Sequence, residues 1–390
     1  MKVLQIISSS GMYGAESVIL NLARRLNSTG HQCLLAVFAN SANENHQLHE
    51  NAVTQGVKTF AIACAGRFDR KAIESVRMLM AETRTDVVHC HGYKADIYAY
   101  LALRNFGIPL LSTCHTWYDT DPAVYIYGVL DRLILRRFTR VIAVSDEVRR
   151  RLRRSGVLAC RIEFIRNGID TEPYAPVTKT SNTGQGDVPV VGLVGRLAWE
   201  KGIDVFLQAA ARVLSELPRV KFMVVGEGPD RKQLENLIDR LGIGASVAMA
   251  GRREDMPEVY RSFDIMVSSS RQEGLPIAIL EGMASGLPII ATAVGEVHAV
   301  IRSGETGILL PPGDPEGLAA AIIGLARDSE KRRRLGLAAR QLIEREYSAD
   351  RMVNEYLSVY RGATSMAEGD LANASTCGTD TARGKHRDAC

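Results

Sequence analysis

The same opening occurs twice along this chain. Residues 3–7 form a short β-rich run, followed by a Gly-containing loop and a helical stretch over 15–25. Residues 188–194 form a second such run, followed by Gly195, a loop and a helical stretch over 204–217. Each half then alternates strand-like runs with helical patterns. The strand-like runs are 32–38, 87–91, 110–114 and 141–144 in the first half, and 220–225, 246–250, 265–268 and 288–292 in the second. Apolar runs of this length between helices predict parallel sheets buried on both faces. The chain is therefore expected to be α/β, with two Rossmann-like doubly wound domains facing across a cleft. Doubly wound sheets bind ligands at the carboxyl ends of their strands.

Residues 173–189 are rich in Pro, Thr, Ser, Asn and Gly and lack apolar periodicity, as linkers do. The expected division is a domain over 1–170, a linker over 171–187 and a second domain over 188–345. The remainder divides into a C-terminal helix over 346–362 and a disordered tail over 363–390, poor in large apolar side chains. A length of 390 residues suits two domains. A net charge of +4 lacks the concentrated basic face of a nucleic-acid binder. The seven cysteines are scattered without a CxxC pair, which argues against zinc and favours a reducing compartment. The opening MKVLQII is too short an apolar run for a signal peptide, and no run approaches the ~20 residues that span a bilayer. The expected location is cytoplasmic.

The richest stretch is RQEGLPIAILEGMASGLP, residues 271–288, directly after the strand-like DIMVSSS. Pro276 suits a first helical turn, and the free N–H groups of such a helix start attract phosphate. Glu273 and Glu281 would stand about 12 Å apart if the segment were helical throughout. That is roughly the span from a sugar across a diphosphate to a ribose. It is too long for the paired carboxylates of a glycosidase, which need about 5–9.5 Å. Each glutamate could instead be a helix-start or solvated carboxylate. In GRLAWEKG, residues 195–202, Arg196 and Lys201 bracket a loop at a strand's carboxyl end. They could neutralise a diphosphate leaving group, or Arg196 could simply pair with Glu200 on a solvated loop.

Other segments are weaker. GMYGAE (residues 11–16) allows close backbone approach to a ligand. GEGPDR (226–231) is an imperfect dinucleotide fingerprint, better read as a plain turn. His115, just past a strand, could serve a sugar hydroxyl or be structural. His89 and His91 are read as pointing to opposite faces of their strand, hence not as joint metal ligands. Asp119 and Asp121 look like a metal-binding DxD, with a polar turn as the plainer reading; no metal is expected. Arginines concentrate over 130–140 and 146–156. They form either a solvated helix face or a positive face for an anionic membrane surface.

Taken together, GMYGAE, DVVHCHG, STCHTW, IAVSDEVRRRL, IRNGID, GRLAWEKG, VVGEGPDRKQLE, the E-x7-E element within residues 250–296 and GILLPPGDPEGLA resemble glycosyltransferase family 4, of the GT-B fold, over residues 1–362. The resemblance implies a retaining, metal-independent enzyme that needs no cofactor. It would move a hexose or related sugar from a nucleoside-diphosphate sugar to a hydroxyl of a saccharide or lipid-linked acceptor, in cell-surface polysaccharide or glycolipid synthesis. It also implies roles for residues. Arg196 and Lys201 grip the diphosphate, Glu273 contacts the donor sugar and Glu281 binds the ribose. The Gly274–Leu275–Pro276 turn covers the phosphates. His115 and the Gly14 loop approach the sugar, and Gly251 and Arg252 hold the base. Tyr13 replaces a glycine common in the family's first loop. The alternatives are an epimerase or phosphorylase on the same architecture, or a non-catalytic nucleotide- or glycan-binding module. A nicotinamide dehydrogenase is disfavoured without an intact glycine fingerprint.

Overall fold

The computed structural model describes residues 1–9, 14–39, 47–66, 69–115, 122–176, 189–274 and 276–377, with side chains set aside over 122–126 and 367–377. The chain divides into two units, Met1–Arg166 with Met352–Cys390, and Asn167–Arg351.

The first unit carries strands β1 (Lys2–Ile7), β2 (Gln32–Ala39), β3 (Lys58–Ala63), β4 (Val87–His91), β5 (Leu110–Cys114), β6 (Arg140–Ala143) and β7 (Ile162–Phe164). They form one parallel sheet in the order β3-β2-β1-β4-β5-β6-β7. Its helices are α1 (Gly14–Ser28), α2 (Gln47–Thr54), α3 (Arg70–Thr83), α4 (Tyr93–Leu103), α5 (Pro122–Leu135) and α6 (Asp146–Arg154). The central strands are buried on both faces, and Leu4, Ile6, Val88 and Cys90 are within 2 % of full burial in one core with Ala72, Tyr98 and Phe138. That is why β1 and β4 are largely apolar, broken only by Gln5 in β1 and by His89 and His91 in β4.

The second unit repeats the plan with β8 (Val190–Val194), β9 (Lys221–Val225), β10 (Val247–Gly251), β11 (Ile265–Ser268), β12 (Ile289–Thr292) and β13 (Gly307–Leu310). This sheet is also parallel, in the order β10-β9-β8-β11-β12-β13. Its helices are α7 (Ile203–Glu216), α8 (Arg231–Leu241), α9 (Met256–Arg261), α10 (Ile277–Ala284), α11 (Val297–Val300), α12 (Pro315–Arg327) and α13 (Ser329–Glu346). In both sheets the strand order reverses beside the first strand, between β1 and β4 and between β8 and β11. Such a switch point leaves a crevice at the strand carboxyl ends.

The boundaries differ from the sequence expectation in two places. Asn167 onward belongs to the second unit, ahead of the expected boundary at 170. Ile169 exchanges backbone hydrogen bonds with Tyr347 and Ala349 at 2.9 and 2.8 Å, so polar composition here marks a docked segment rather than free linker. The rest of the expected linker, 177–187, lies outside the described residues. The C-terminal helix α14 (Ala349–Cys377) runs past the expected end at 362. Ala363 is fully buried, and small side chains there permit close packing that their low hydrophobicity does not advertise. The tail beyond 377 lies outside the described residues.

Candidate active site

Two loops meet at the switch point of the second sheet. One follows β8, residues 195–202; the other follows β11, residues 269–276. Gly202 has φ +59°, and a Cβ there would stand 2.1 Å from the Ser269 carbonyl oxygen. Only glycine lets these backbones approach so closely. The Ser269 hydroxyl donates to the Gly202 carbonyl at 2.9 Å. The Arg271 and Gln272 amides donate to the Glu200 carbonyl at 2.7 and 3.2 Å. Arg271 locks the pair further: its guanidinium forks onto both Asp204 oxygens at 2.7 Å each and onto the Trp199 carbonyl at 3.0 Å.

On this frame, the Lys201 ammonium pairs with Glu273 Oε1. The same oxygen accepts from the Ser270 hydroxyl at 3.0 Å, and Ser270 is itself held by Thr292 Oγ1 donating to its carbonyl at 2.5 Å. Gly295, at φ +54°, lies so near that a Cβ would stand 1.7 Å from the Glu273 carbonyl. Lys201 is thus not a free cation as the sequence reading assumed. It is neutralised by the glutamate expected at the sugar, and an incoming diphosphate must compete for it. Arg196 is exposed and its guanidinium has no hydrogen bond or ion pair among the described residues, so the Glu200 pair offered as its plainer role does not form.

Glu281 stands on α10, with both oxygens engaged. Tyr174 Oη donates to Oε1 and Tyr260 Oη to Oε2, each at 2.8 Å. Burial raises the carboxyl's pKa, and the two hydroxyls oppose that rise. Each carboxylate oxygen keeps a lone pair for a further donor. Pro276 precedes α10 in extended conformation (φ −75°, ψ 117°) rather than within its first turn, and no side chain caps the helix start. The 12 Å helical span does not apply, because residues 273, 274 and 276 are not helical. Gly274 is exposed and its carbonyl accepts from Glu296 N at 3.3 Å; Leu275 lies outside the described residues. Gly251 sits at a break in the register of β10 with φ +71°, and Arg252 beside it is exposed. GEGPDR is a turn: Leu197 N donates to the Glu227 carbonyl at 2.9 Å, tying it to the loop after β8.

The first unit gathers uncharged groups. His115 follows β5. Burial lowers its pKa to about 4, so the ring is neutral at pH 7. His91 stacks on it at 5.9 Å between centroids. His91 Nδ1 and His115 Nε2 are buried without a hydrogen-bond partner among the described residues. His89 and His91 do not point to opposite faces: their rings lie 4.3 Å apart. Residues two apart on a strand share a face, and Cys90 between them turns into the core. His91 Nε2 is 2.7 Å from Gln5 Oε1. His89 bonds Tyr360 Oη and Thr113 Oγ1 at 2.8 Å each, and Thr113 bonds Tyr356 Oη at 3.0 Å. Gly14 opens α1, where Ser9 Oγ donates to Glu16 Oε1 at 2.9 Å. Tyr13 and the Asp119–Asp121 turn lie outside the described residues. Among the described residues no three His, Cys, Asp or Glu side chains cluster to hold a metal.

Sequence reasoning missed Tyr174, Tyr260, Ser270 and the Asp204–Arg271 fork. Their partners lie 107, 21, 3 and 67 residues away, and apart from Ser270 no local spacing signals them.

Known proteins resemble the chain along both of its units. Residues 12–173 match the family described as Glycosyltransferase Family 4, and residues 178–342 match Glycosyl transferases group 1. The α-D-kanosaminyltransferase of Streptomyces kanamyceticus is 30% identical over 293 residues, 70% of this chain and 76% of that protein. The N-acetyl-α-D-glucosaminyl L-malate synthase of Bacillus anthracis is 25% identical over 371 residues, 91% and 94% of the two chains. Among solved structures, Anabaena HepE in complex with UDP superposes with a TM-score of 0.81 at 21% identity, covering 93% of this chain and 100% of HepE.

Proposed function

The chain belongs to glycosyltransferase family 4, with the GT-B pair of Rossmann-like domains, and from that premise we propose that it is a retaining, metal-independent hexosyltransferase. The reading takes a nucleoside-diphosphate sugar as donor and a hydroxyl of a saccharide or lipid-linked molecule as acceptor, in the synthesis of a cell-surface polysaccharide or glycolipid at the cytoplasmic side. HepE solved with UDP-glucose makes uridine donors the first to try. The reading leaves cofactor sites unneeded, since diphosphate departure asks only for charge stabilisation.

The single observation that carries the reading is the arrangement at the second switch point. Arg196, whose side chain has no partner among the described residues, stands on the same loop as Lys201, and Lys201 pairs with Glu273 on the loop leading into α10, to which the first loop is fastened. A diphosphate would draw Lys201 toward itself and take Arg196 as a bidentate partner. Glu273, released from Lys201 but still held by Ser270, would accept from the sugar hydroxyls. Glu281 would accept from the ribose diol, and Gly251 and Arg252 would border the base. The Gly274–Leu275–Pro276 turn would cover the phosphates. His115, neutral at pH 7 and with Nε2 unpartnered among the described residues, would serve a hydroxyl of the transferred sugar, with the Gly14 loop near it.

In the reaction, the bond from the anomeric carbon to the diphosphate oxygen breaks. A bond to the acceptor oxygen forms on the same face, and the acceptor's proton passes to the departing phosphate. The test is a panel of nucleoside-diphosphate sugars read by acceptor-dependent release of nucleoside diphosphate, with and without chelator. Arg196→Ala should lose roughly 2–4 kcal/mol of transition-state stabilisation. Full activity in that variant, or donor epimerised with no acceptor present, overturns the assignment.

A further inference from the structure

Charge in this protein is concentrated in one place. Residues 127–166 hold eleven arginines and four acidic residues, a net +7 where the whole chain carries +4. The acids are already committed: Asp131 is buried, Asp146 pairs with Arg149, Glu147 with Arg151 and Glu163 with Arg140. Arg137, Arg150, Arg153 and Arg154 are exposed and have no acceptor among the described residues. So large an unneutralised charge within forty residues is more than solubility requires and marks an attraction to anions.

The same region exposes large aliphatic side chains. On α5, Val129, Leu130 and Leu133 are 39, 40 and 50% exposed, and their spacing places them on one face of the helix. Leu158, past the end of α6, is 57% exposed. The two parts are joined: Arg136, just after α5, donates from Nε to the Ser155 carbonyl at 2.7 Å, and its backbone carbonyl accepts from Arg161 Nη1 at 2.8 Å. A solvated helix face would put charged groups where the leucines stand. An acidic protein surface would match the arginines and leave the aliphatic groups unpaired. Leucines flanked by arginines fit the boundary of a bilayer, where apolar side chains enter the acyl region and guanidinium groups meet lipid phosphates.

We propose that the surface formed by α5, α6 and the turn at Leu158 docks on a membrane rich in anionic lipid. The docking is independent of the transfer reaction, so its test does not rely on activity. The full chain is sedimented with vesicles of equimolar phosphatidylglycerol and phosphatidylcholine, and with phosphatidylcholine alone. Binding is expected only to the anionic vesicles, weakening steeply with salt. The pair Arg153→Gln and Arg154→Gln should partition about thirty-fold more weakly. The pair Leu130→Ser and Leu133→Ser should lose about ten-fold or more, and Leu133→Trp should shift its emission to the blue on anionic vesicles. These positions are exposed, and unchanged circular dichroism would confirm folding. A wild-type protein that stays in the supernatant with anionic vesicles overturns the proposal. So does binding that survives the leucine substitutions with no tryptophan shift, which is the behaviour of a polyanion site. So does a dimer in solution that Leu133→Ser converts to monomer without any vesicle binding.

Discussion

The two sheets share one plan but finish it with opposite chemistry. At the carboxyl ends of β8 and β11 the polar groups are ionic: Arg196, Lys201 and Glu273, with Glu281 on the following helix. At the ends of β1, β4 and β5 they are neutral: Gln5, His89, His91 and Thr113, bound largely to one another and to Tyr356 and Tyr360 of α14. Burial keeps them so, lowering His89 to about 3 and His115 to about 4. Charge is placed where a charged ligand can exchange for an internal partner. Uncharged groups that chiefly bond one another are placed where the fold must hold, with His91 Nδ1 and His115 Nε2 unpaired among the described residues. A hydrogen-bonded buried group gives little net energy, but costs much if its partner is removed.

Substitutions on the two sides should therefore separate function from stability. The largest effect is expected from Lys201→Ala, which removes a cation from the diphosphate. The rate constant kcat/KM for a donor that the panel identifies should fall by roughly 2–4 kcal/mol, a factor of about thirty to a thousand, while the melting temperature stays near that of wild type. Tyr360→Phe should do the reverse. It strands His89 Nδ1 in the core at a cost of about 1–3 kcal/mol, read as faster amide hydrogen exchange in β4 and β5, with kcat per folded molecule unchanged. If Tyr360→Phe abolished turnover without loosening those strands, the division would be wrong.

Between pH 7 and 6, acid should destabilise the first unit. His89, His91 and His115 have folded pKa values below the unfolded 6.5. The unfolded chain therefore binds more protons as pH falls, and the stability these rings contribute is full above pH 6.5 and drains away toward pH 4. Between pH 7 and 6 the loss is about 0.7 kcal/mol per histidine, about 2 kcal/mol for three. Hydrogen exchange at residues 87–91 should quicken in that interval, with 190–194 unaffected. Equal acceleration in both sheets would remove the contrast.

How much of this was legible follows from where each strand lies. β4, β5 and β11 are read from sequence with their observed bounds, because interior parallel strands are buried on both faces and each of these opens on a short apolar run. The three strands that sequence reading passes over, β3, β7 and β13, are all sheet edges. Lys58, Ala61 and Ala63 of β3 are exposed, and β7 is three partly buried residues interrupted by Glu163. In the candidate site, Arg196, Lys201 and Glu273 could be picked out because each lies in a short motif after a strand, and Glu281 because it stands on the helix that follows. What binds them could not. The Lys201–Glu273 pair spans 72 residues, and Tyr174 reaches Glu281 across 107, from a segment whose composition reads as linker. Pairings fixed by topology leave no local spacing to find.

The smallest effect sharpens the contrast most, because it concerns a residue of the second unit that acts only through another. Tyr260→Phe removes one of the two hydroxyls on Glu281 and leaves the ring in place. The hydroxyl holds the carboxylate ionised against burial, so without it the Glu281 pKa rises further. A protonated Glu281 is a poorer acceptor for a ribose diol. Nucleoside diphosphate affinity should weaken by about 1 kcal/mol at pH 7, roughly five- to ten-fold, on the scale of one net hydrogen bond. The loss should grow as pH falls and shrink as it rises, because deprotonation restores the acceptor. Isothermal titration of a nucleoside diphosphate across that range reads it directly, and KM for the donor should follow while kcat holds. Tyr174→Phe should mirror it through Oε1. A pH-independent loss would mean that the tyrosines merely pack beside Glu281, and the second unit's polar groups would then be as structural as those of the first.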